Sequence, residues 1–387
     1  MKVSEIETFI IGANWRNLVL VKVHTDEGLT GIGEATLPGY SRPVVHSVEA
    51  LAARHVSGEN PFNIERLWQK MYRDDMKAGG TVLNSAIAGI EMACWDIMGK
   101  ALEVPVHTLI GGKCNRKLRA YANGWYGGGM GPEEFAEEAT AVKEKGYKAI
   151  KFSPFGSVGS DITEEEKEQA LAKVEVVHQA VGEDLDLMIE AFGRFDPPQA
   201  IDIGHRIETY QPVFYEEPVG PENIRAMKEV KDHVEIPVAA GERVYTKYGF
   251  EPWLEARALD YVQPDIVQSG GILELKKIAS MAEAKFIGIC PHNPYGPVAS
   301  TAIAHLDATC TNFYVQEMLA DFDVPWLNDL VDDPLQVTDG YIDVPTSPGL
   351  GIELDEEEIA KHPPLPVDEE YVSKWKDDWE SRSLSGR

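Results

Sequence analysis

Hydrophobic and polar positions divide the chain into two regimes. Near the start the apolar residues come in short β-rich runs. Residues 3–11 and 18–25 are followed by Asp26-Glu27-Gly28, a turn signal, and by a third run over 29–35. This pattern predicts a small antiparallel meander. From 44 to 101 the period lengthens: Ile64, Leu67, Trp68 and Met71 mark one helical face, and 86–98 reads as a long apolar helix. After Gly111-Gly112-Lys113 strands alternate with amphipathic helices. A strand at 118–123, a helix at 132–145, a strand at 149–152 and a helix at 164–180, entered through Asp161-Ile162-Thr163, are the first of them. Such alternation is the mark of parallel βαβ units.

The second regime carries a ladder. Glu190, Glu216, Glu242, Asp265, His292 and Glu317 follow one another at intervals of 26, 26, 23, 27 and 25 residues, about one strand plus one helix. Each is expected to close a strand-like run, as in Leu187-Met188-Ile189-Glu190. With the two earlier strands they make eight, enough for a barrel whose loops build a site at one end. Past Asp333 the chain becomes rich in turns, and 344–353 is expected to form a strand returning to the first region. The predicted organisation is an α+β unit over 1–115, a barrel over 116–335 and a return segment over 336–387.

Composition narrows the function. With 43% apolar and 26% charged residues, the 387-residue chain suits a soluble globular enzyme. A formal charge of −28 argues against nucleic acid and anionic membrane surfaces as partners. An anionic substrate then needs a locally positive site, which a bound cation supplies. Cys94, Cys114, Cys290 and Cys310 lack paired spacing, so reduced thiols are expected, with no zinc motif. The N-terminal residues carry acids where a signal peptide needs an apolar stretch, and no segment approaches about 18 uninterrupted apolar residues, so a cytoplasmic location is expected.

Three carboxylates at equivalent offsets, Glu190, Glu216 and Glu242, suit a hard divalent cation such as Mg2+, which takes oxygen ligands and keeps positions open for substrate. Glu217 faces the opposite side of its strand and is assigned to packing or a salt link. His292 is the natural base at neutral pH, with Asp265 one βα unit earlier to fix its tautomer. Glu317 has two readings: a protonated donor to a substrate oxyanion, or a partner for a neighbouring cation. Lys151 ends the second strand and needs an anion or the metal carboxylates to stabilise it in a barrel mouth.

In the order Lys151, Glu190, Glu216, Glu242, Asp265, His292, Glu317 the chain resembles the enolase superfamily, in its mandelate racemase branch. Gly31-Ile32-Gly33-Glu34-Ala35, Leu109-Ile110-Gly111-Gly112, Tyr215-Glu216-Glu217-Pro218 and Pro348-Gly349-Leu350-Gly351 support it. More narrowly, Tyr121-Ala122-Asn123-Gly124-Trp125-Tyr126, Lys151-Phe152-Ser153-Pro154-Phe155-Gly156 and Gly193-Arg194-Phe195 are similar to sugar-acid dehydratases of the gluconate and galactonate type. The resemblance implies an N-terminal α+β capping domain closing over a (β/α)7β barrel, one Mg2+ per subunit and a small sugar-acid substrate. It also implies assembly of several copies, since such relatives commonly form dimers or octamers. His292, oriented by Asp265, is expected to take the C2 proton, and Lys151 and Glu317 to bind the carboxylate end. Asn14, Trp15 and Arg16 lie in the cap loop where this family places specificity contacts, and Tyr126 and Arg194 are further candidates for substrate contact.

Two departures qualify the expectation. Ser153 stands where racemase-like members carry a second lysine, and Phe192 where the dehydratases carry a histidine. The expected reaction is therefore one-sided: dehydration of an aldonic acid to a 2-keto-3-deoxy acid, with the leaving hydroxyl protonated by His292 itself, by a tyrosine such as Tyr126, or lost by a route that needs no such acid. The alternatives are a single-base epimerase, a sugar-lactone cycloisomerase, and a non-catalytic sugar-acid binder.

Overall fold

A computed structural model describes residues 1–74, 76, 78–127 and 130–366; the charged tail beyond lies outside the described residues. The strands β1 (Val3–Gly12), β2 (Asn17–Thr25) and β3 (Thr30–Glu34) form an antiparallel sheet in that order, as the alternating runs predict. The helical stretch resolves into α1 (Ser41–Leu51), α2 (Ile64–Tyr72) and α3 (Thr81–Ala101). Every residue of α3 from 84 to 97 is buried. An apolar surface on all sides suits a helix enclosed between layers.

Beyond the short α4 (Val106–Leu109) the barrel elements follow: β4 (Lys117–Ala122), α5 (Pro132–Glu144), β5 (Ala149–Phe152), α6 (Glu164–Val181), β6 (Asp186–Glu190), α7 (Pro197–Ile207), β7 (Phe214–Glu216), α8 (Ile224–His233), β8 (Val238–Ala240), α9 (Thr246–Ala256), β9 (Tyr261–Val262), α10 (Ile272–Glu283), β10 (Gly288–Ile289), α11 (Pro297–Asp307) and β11 (Gln316–Met318). Neighbours from β4 to β10 pair in parallel; β11 pairs with β4, and the Tyr314 N–H donates to the Ile289 carbonyl at 3.0 Å, closing the ring. The fold is α/β, a (β/α)7β barrel with an α+β cap. The start of α6 shows how local sequence sets the boundaries: Thr163 accepts from the Glu166 N–H while Glu166 reaches back to the Thr163 N–H at 2.7 Å.

The return segment differs from expectation. After β12 (Val337–Thr338) and β13 (Tyr341–Asp343), which pairs antiparallel with β4, residues 344–353 come back to the cap as turns. Their N–H groups are used by α3 and its loop: Gly349 donates to the Val104 carbonyl at 3.0 Å and Leu350 to Asp96 Oδ1 at 2.8 Å. Among the described residues, strand-type pairing is limited there to one isolated parallel bridge, Gly349 with Pro105. The short α12 (Glu356–Ile359) follows.

Cap and barrel are joined by carboxylates placed at helix starts. Glu34 accepts from Gly296 and Ala299 N–H (2.9 and 3.0 Å) at the head of α11. Glu91 accepts from Ile272 and Leu273 N–H (both 2.9 Å) at the head of α10. Each satisfies N–H groups with no partner inside the helix and sits at the positive end of its dipole. Trp68 Nε1 and Asn84 Nδ2 add bonds to the Gly270 and Gln268 carbonyls at 2.8 and 2.9 Å.

Candidate active site

Inside the barrel, Tyr121, Ala149, Met188, Phe214, Cys290 and Val315 share one buried layer. Side chains alternate along a strand, so the next inward positions are Asn123, Lys151, Glu190, Glu216, His292 and Glu317. The layer is apolar below and charged above. The expectation that each ladder residue closes its strand holds for Glu190 and Glu216 only. Glu317 lies within β11, while Glu242, Asp265 and His292 lie in the loops past β8, β9 and β10. Gly241, at φ 138°, makes the turn that brings Glu242 inward, and a Cβ there would run into Phe250 and the Gln263 backbone.

Glu190, Glu216 and Glu242 each offer an oxygen within 4.8 Å of the others. Glu190 Oε1 accepts from the Phe192 N–H at 2.5 Å, whereas its Oε2 is buried without a hydrogen-bond partner among the described residues. Burial, and then the charge of Glu216, push the Glu190 carboxyl well above the usual carboxylate range. Converging carboxylates with an orphaned oxygen form a donor set that a hard divalent cation fits. Lys151, itself buried, donates to both Glu216 oxygens at 2.8 and 2.9 Å and lies 3.4 Å from Glu317 and 3.6 Å from Glu190. Gln263 Nε2 donates to Glu216 Oε2 at 2.7 Å.

His292 Nδ1 lies 2.7 Å from Asp265 Oδ2, and its Nε2 faces the triad, 3.3 Å from Glu242. Asp265 is held in turn by the Tyr295 hydroxyl at 2.5 Å and the Gln268 N–H at 2.7 Å. Burial lowers the His292 pKa, but the Glu242 charge, the Asp265 hydrogen bond and the Glu317 charge outweigh it and raise the imidazole to about 10. The ring holds its proton while Glu242 is unopposed.

Glu317 accepts from Asn123 Nδ2 at 2.5 Å and the Asn293 N–H at 2.7 Å. Burial raises its carboxyl, yet the charges of Lys151 and His292 prevail and hold it below the usual range. Of its two readings, these neighbours favour the ionised partner of a cation over the protonated donor. Glu217 makes the expected salt link, to Arg243.

The seven ladder and lysine positions thus meet in one mouth. Tyr126 is half-buried beside β5, its hydroxyl pKa raised by burial and then by the Glu190 charge. The remaining candidates lie in the loop between β1 and β2 and past β6. Asn14 is exposed. The Arg16 guanidinium stacks over Trp15 at 4.3 Å and pairs with Asp323, Nη1 to Oδ2 at 2.5 Å, with both side chains buried; its Nε and Nη2 have no hydrogen-bond partner among the described residues. Arg194 donates to the Val158 carbonyl at 3.2 Å. Asn123, Gln263, Tyr295 and Arg243 escaped the sequence reading. Asn123 alone carried a signal, being two residues beyond an inward Tyr121 as Lys151 is beyond Ala149.

Residues 6–111 match the mandelate racemase/muconate lactonizing enzyme N-terminal domain, and 134–358 match the enolase C-terminal domain-like family. The chain belongs to the enolase superfamily, in its mandelate racemase branch. Superfamily members bind a divalent metal, in keeping with the buried acidic triad. Two curated members of known name are similar along nearly the whole chain. The D-gluconate dehydratase of Thermoproteus tenax is 35% identical over 96% of this chain and 76% of that protein. The D-galactonate dehydratase of Ralstonia pickettii (strain 12J) is 36% identical over 92% and 93%. Among solved superfamily structures, the mandelate racemase/muconate lactonizing enzyme from Sulfitobacter sp. superposes with a TM-score of 0.88 at 35% identity, covering 95% of this chain and 96% of that one.

Proposed function

We propose that this protein is a lyase that dehydrates a sugar acid, an aldonic acid of the gluconate or galactonate type, to a 2-keto-3-deoxy acid. The observation that carries the reading is the His292–Asp265 pair facing three converging carboxylates and Lys151 across one barrel mouth. Relatives named as gluconate and galactonate dehydratases support the substrate class.

Glu190, Glu216 and Glu242 would hold Mg2+. When bound, such an ion supplies the positive charge that makes removal of a proton beside a carboxylate accessible. Lys151 meets the substrate carboxylate, and ionised Glu317 keeps that ammonium in place. His292 takes the C2 proton at Nε2, while Asp265 holds the proton on Nδ1 and fixes the ring. The C3–O bond breaks as the C2–C3 double bond forms, and hydroxide leaves with a proton as water. The resulting enol becomes the 2-keto-3-deoxy acid by losing its C2 hydroxyl proton and taking a proton at C3. With Phe192 and Ser153 standing where a histidine and a second lysine were expected, His292 returns its own proton to the leaving hydroxyl in a syn elimination; Tyr126 is the other candidate donor.

The test incubates the protein with Mg2+ and a panel of aldonic and aldaric acids in D2O, following 2-keto acid and the C2 proton. Keto acid from an aldonic acid is expected. C2 exchange or a new isomer without keto acid would replace the dehydratase by an epimerase or cycloisomerase, and binding without exchange by a non-catalytic sugar-acid binder.

A further inference from the structure

We infer that the Arg243–Glu217 ion pair is a positioning clamp that sets the spacing of the three metal carboxylates. The inference rests on reading Glu190, Glu216 and Glu242 as ligands of a divalent ion. Each carboxylate is followed by a turn, and one guanidinium touches all three turns. Arg243 directly follows Glu242, with its Nε 3.9 Å from Glu242 Oε1. Its Nη2 pairs with Glu217 Oε2 and its Nε donates to Glu217 Oε1 at 3.4 Å, and Glu217 directly follows Glu216. The guanidinium also lies over Gly193 in the turn after Glu190: φ there is 67°, and a Cβ would collide with Arg243 Nη2. The Gly193 N–H donates back to the Glu217 carbonyl at 2.7 Å, so the first and second turns are joined by backbone as well.

Two of these turns are strained. Phe192 and Glu217 hold φ values of 54° and 39°, in the left-handed region that side chains other than glycine rarely adopt. Such conformations persist only where the surroundings over-determine them, and they gather at sites where geometry matters. The Phe192 turn places its N–H 2.5 Å from Glu190 Oε1, fixing the rotamer of the first carboxylate. The Glu217 turn sends one glutamate of the Glu216-Glu217 pair into the mouth and the other to Arg243. The Glu217 side chain is 1% exposed, whereas that of Arg243 is 36% exposed. The buried carboxylate is the anchor, and the fork reaches it from the rim. A planar fork bound by two donors fixes direction as well as charge, which a lysine does not.

A clamp and a bare charge predict opposite signs. A cation beside a metal site repels the metal, so if Arg243 acted by charge alone, Arg243→Gln would tighten metal binding and Arg243→Lys would leave it unchanged. If it positions the carboxylates, both substitutions weaken binding, because partners that orient ligands typically contribute about 10–100-fold in metal affinity. The experiment titrates Mn2+ into the chelator-treated full chain, with free ion read by electron paramagnetic resonance and Mg2+ affinity by competition. Wild type, R243K, R243Q and E217Q are compared, with melting of the metal-free proteins as a check on folding. The expected result is a roughly 10–100-fold loss for R243Q and E217Q and a smaller loss for R243K. The double variant E217Q/R243Q should lose no more than the worse single one, since the pair acts as a unit. Unchanged or tighter binding in folded R243K and R243Q overturns the clamp while leaving the metal site standing. Absence of binding to wild type overturns the metal reading and the clamp with it.

Discussion

Asp265 Oδ2 receives the His292 ring at 2.7 Å and the Tyr295 hydroxyl at 2.5 Å, so the orientation of one imidazole depends on a carboxylate that is itself tied on both oxygens. If Nε2 is the atom that takes the C2 proton, His292→Asn should abolish C2 exchange in D2O, with a loss on the order of 10²–10⁴-fold or more. Asp265→Asn should fall in the same range while Mn2+ affinity stays near wild type. Full exchange activity in His292→Asn would overturn the base assignment. At this scale the sequence revealed what stands at the barrel mouth, because the spacing repeats and the chemistry of each residue type is distinctive. It concealed the partners. Gln263 matters because β7 and β9 bring its amide to Glu216, and Arg243 because Glu217 turns away from the mouth. Neither fact exists before the strands are in register, and the same holds for the buried pairing of Arg16 with Asp323.

Between elements, α3 illustrates how packing decides what periodicity leaves open. Its apolar run was legible, but the glutamate within that run reads as a flaw until α10 is placed beside it. Glu91 then accepts from two N–H groups at the head of α10 and from Trp95 Nε1 at 2.7 Å. Burial pushes its carboxyl from 4.5 up to about 7, against the pull of those donors. The folded state therefore binds this proton more tightly than the unfolded chain does. Its contribution to stability is fully present below about pH 4.5 and declines as pH rises to about 7, by roughly 3 kcal/mol. Comparing urea unfolding of wild type and Glu91→Gln at several pH values in that window isolates the effect, since all other titrating groups are common to both. Wild type should lose stability relative to the variant as pH rises, and a constant difference across the window would refute the assignment. The strand ends were less legible than the strands. β9 and β10 are two residues each, and Asp265 and His292 are reached through loops whose N–H groups bond to strand-end carbonyls and side chains. His292 keeps the inward alternation that starts at Cys290, and a lone parallel bridge to Asp265 carries the strand pairing past the strand ends.

For the molecule as a whole, two kinds of negative charge have to be distinguished. The chain has 64 acidic against 36 basic residues, a formal −28, and among the described residues most acidic side chains lie outside the buried core, where they repel one another in the compact state. The surface ion pairs offset little of this, at about 0–1 kcal/mol each. Simple salt shortens the screening length from roughly 10 Å at 0.1 M to roughly 3 Å at 1 M, which relieves repulsion more than it weakens those pairs. Melting temperature should therefore rise gradually with KCl. The triad is a second, local excess: Glu190 and Glu216 are fully buried, beyond the reach of screening by bulk ions. A divalent ion held there stabilises the folded state by mass action, about 2.7 kcal/mol at a hundred times its dissociation constant. In 1 M KCl, with the surface term already spent, millimolar Mg2+ should still raise the melting temperature of wild type, and chelation should reverse it. Glu216→Gln should keep the KCl response and lose most of the Mg2+ response. Equal Mg2+ responses in the two proteins would mean that the ion acts on the acidic surface and that the three carboxylates are not its site.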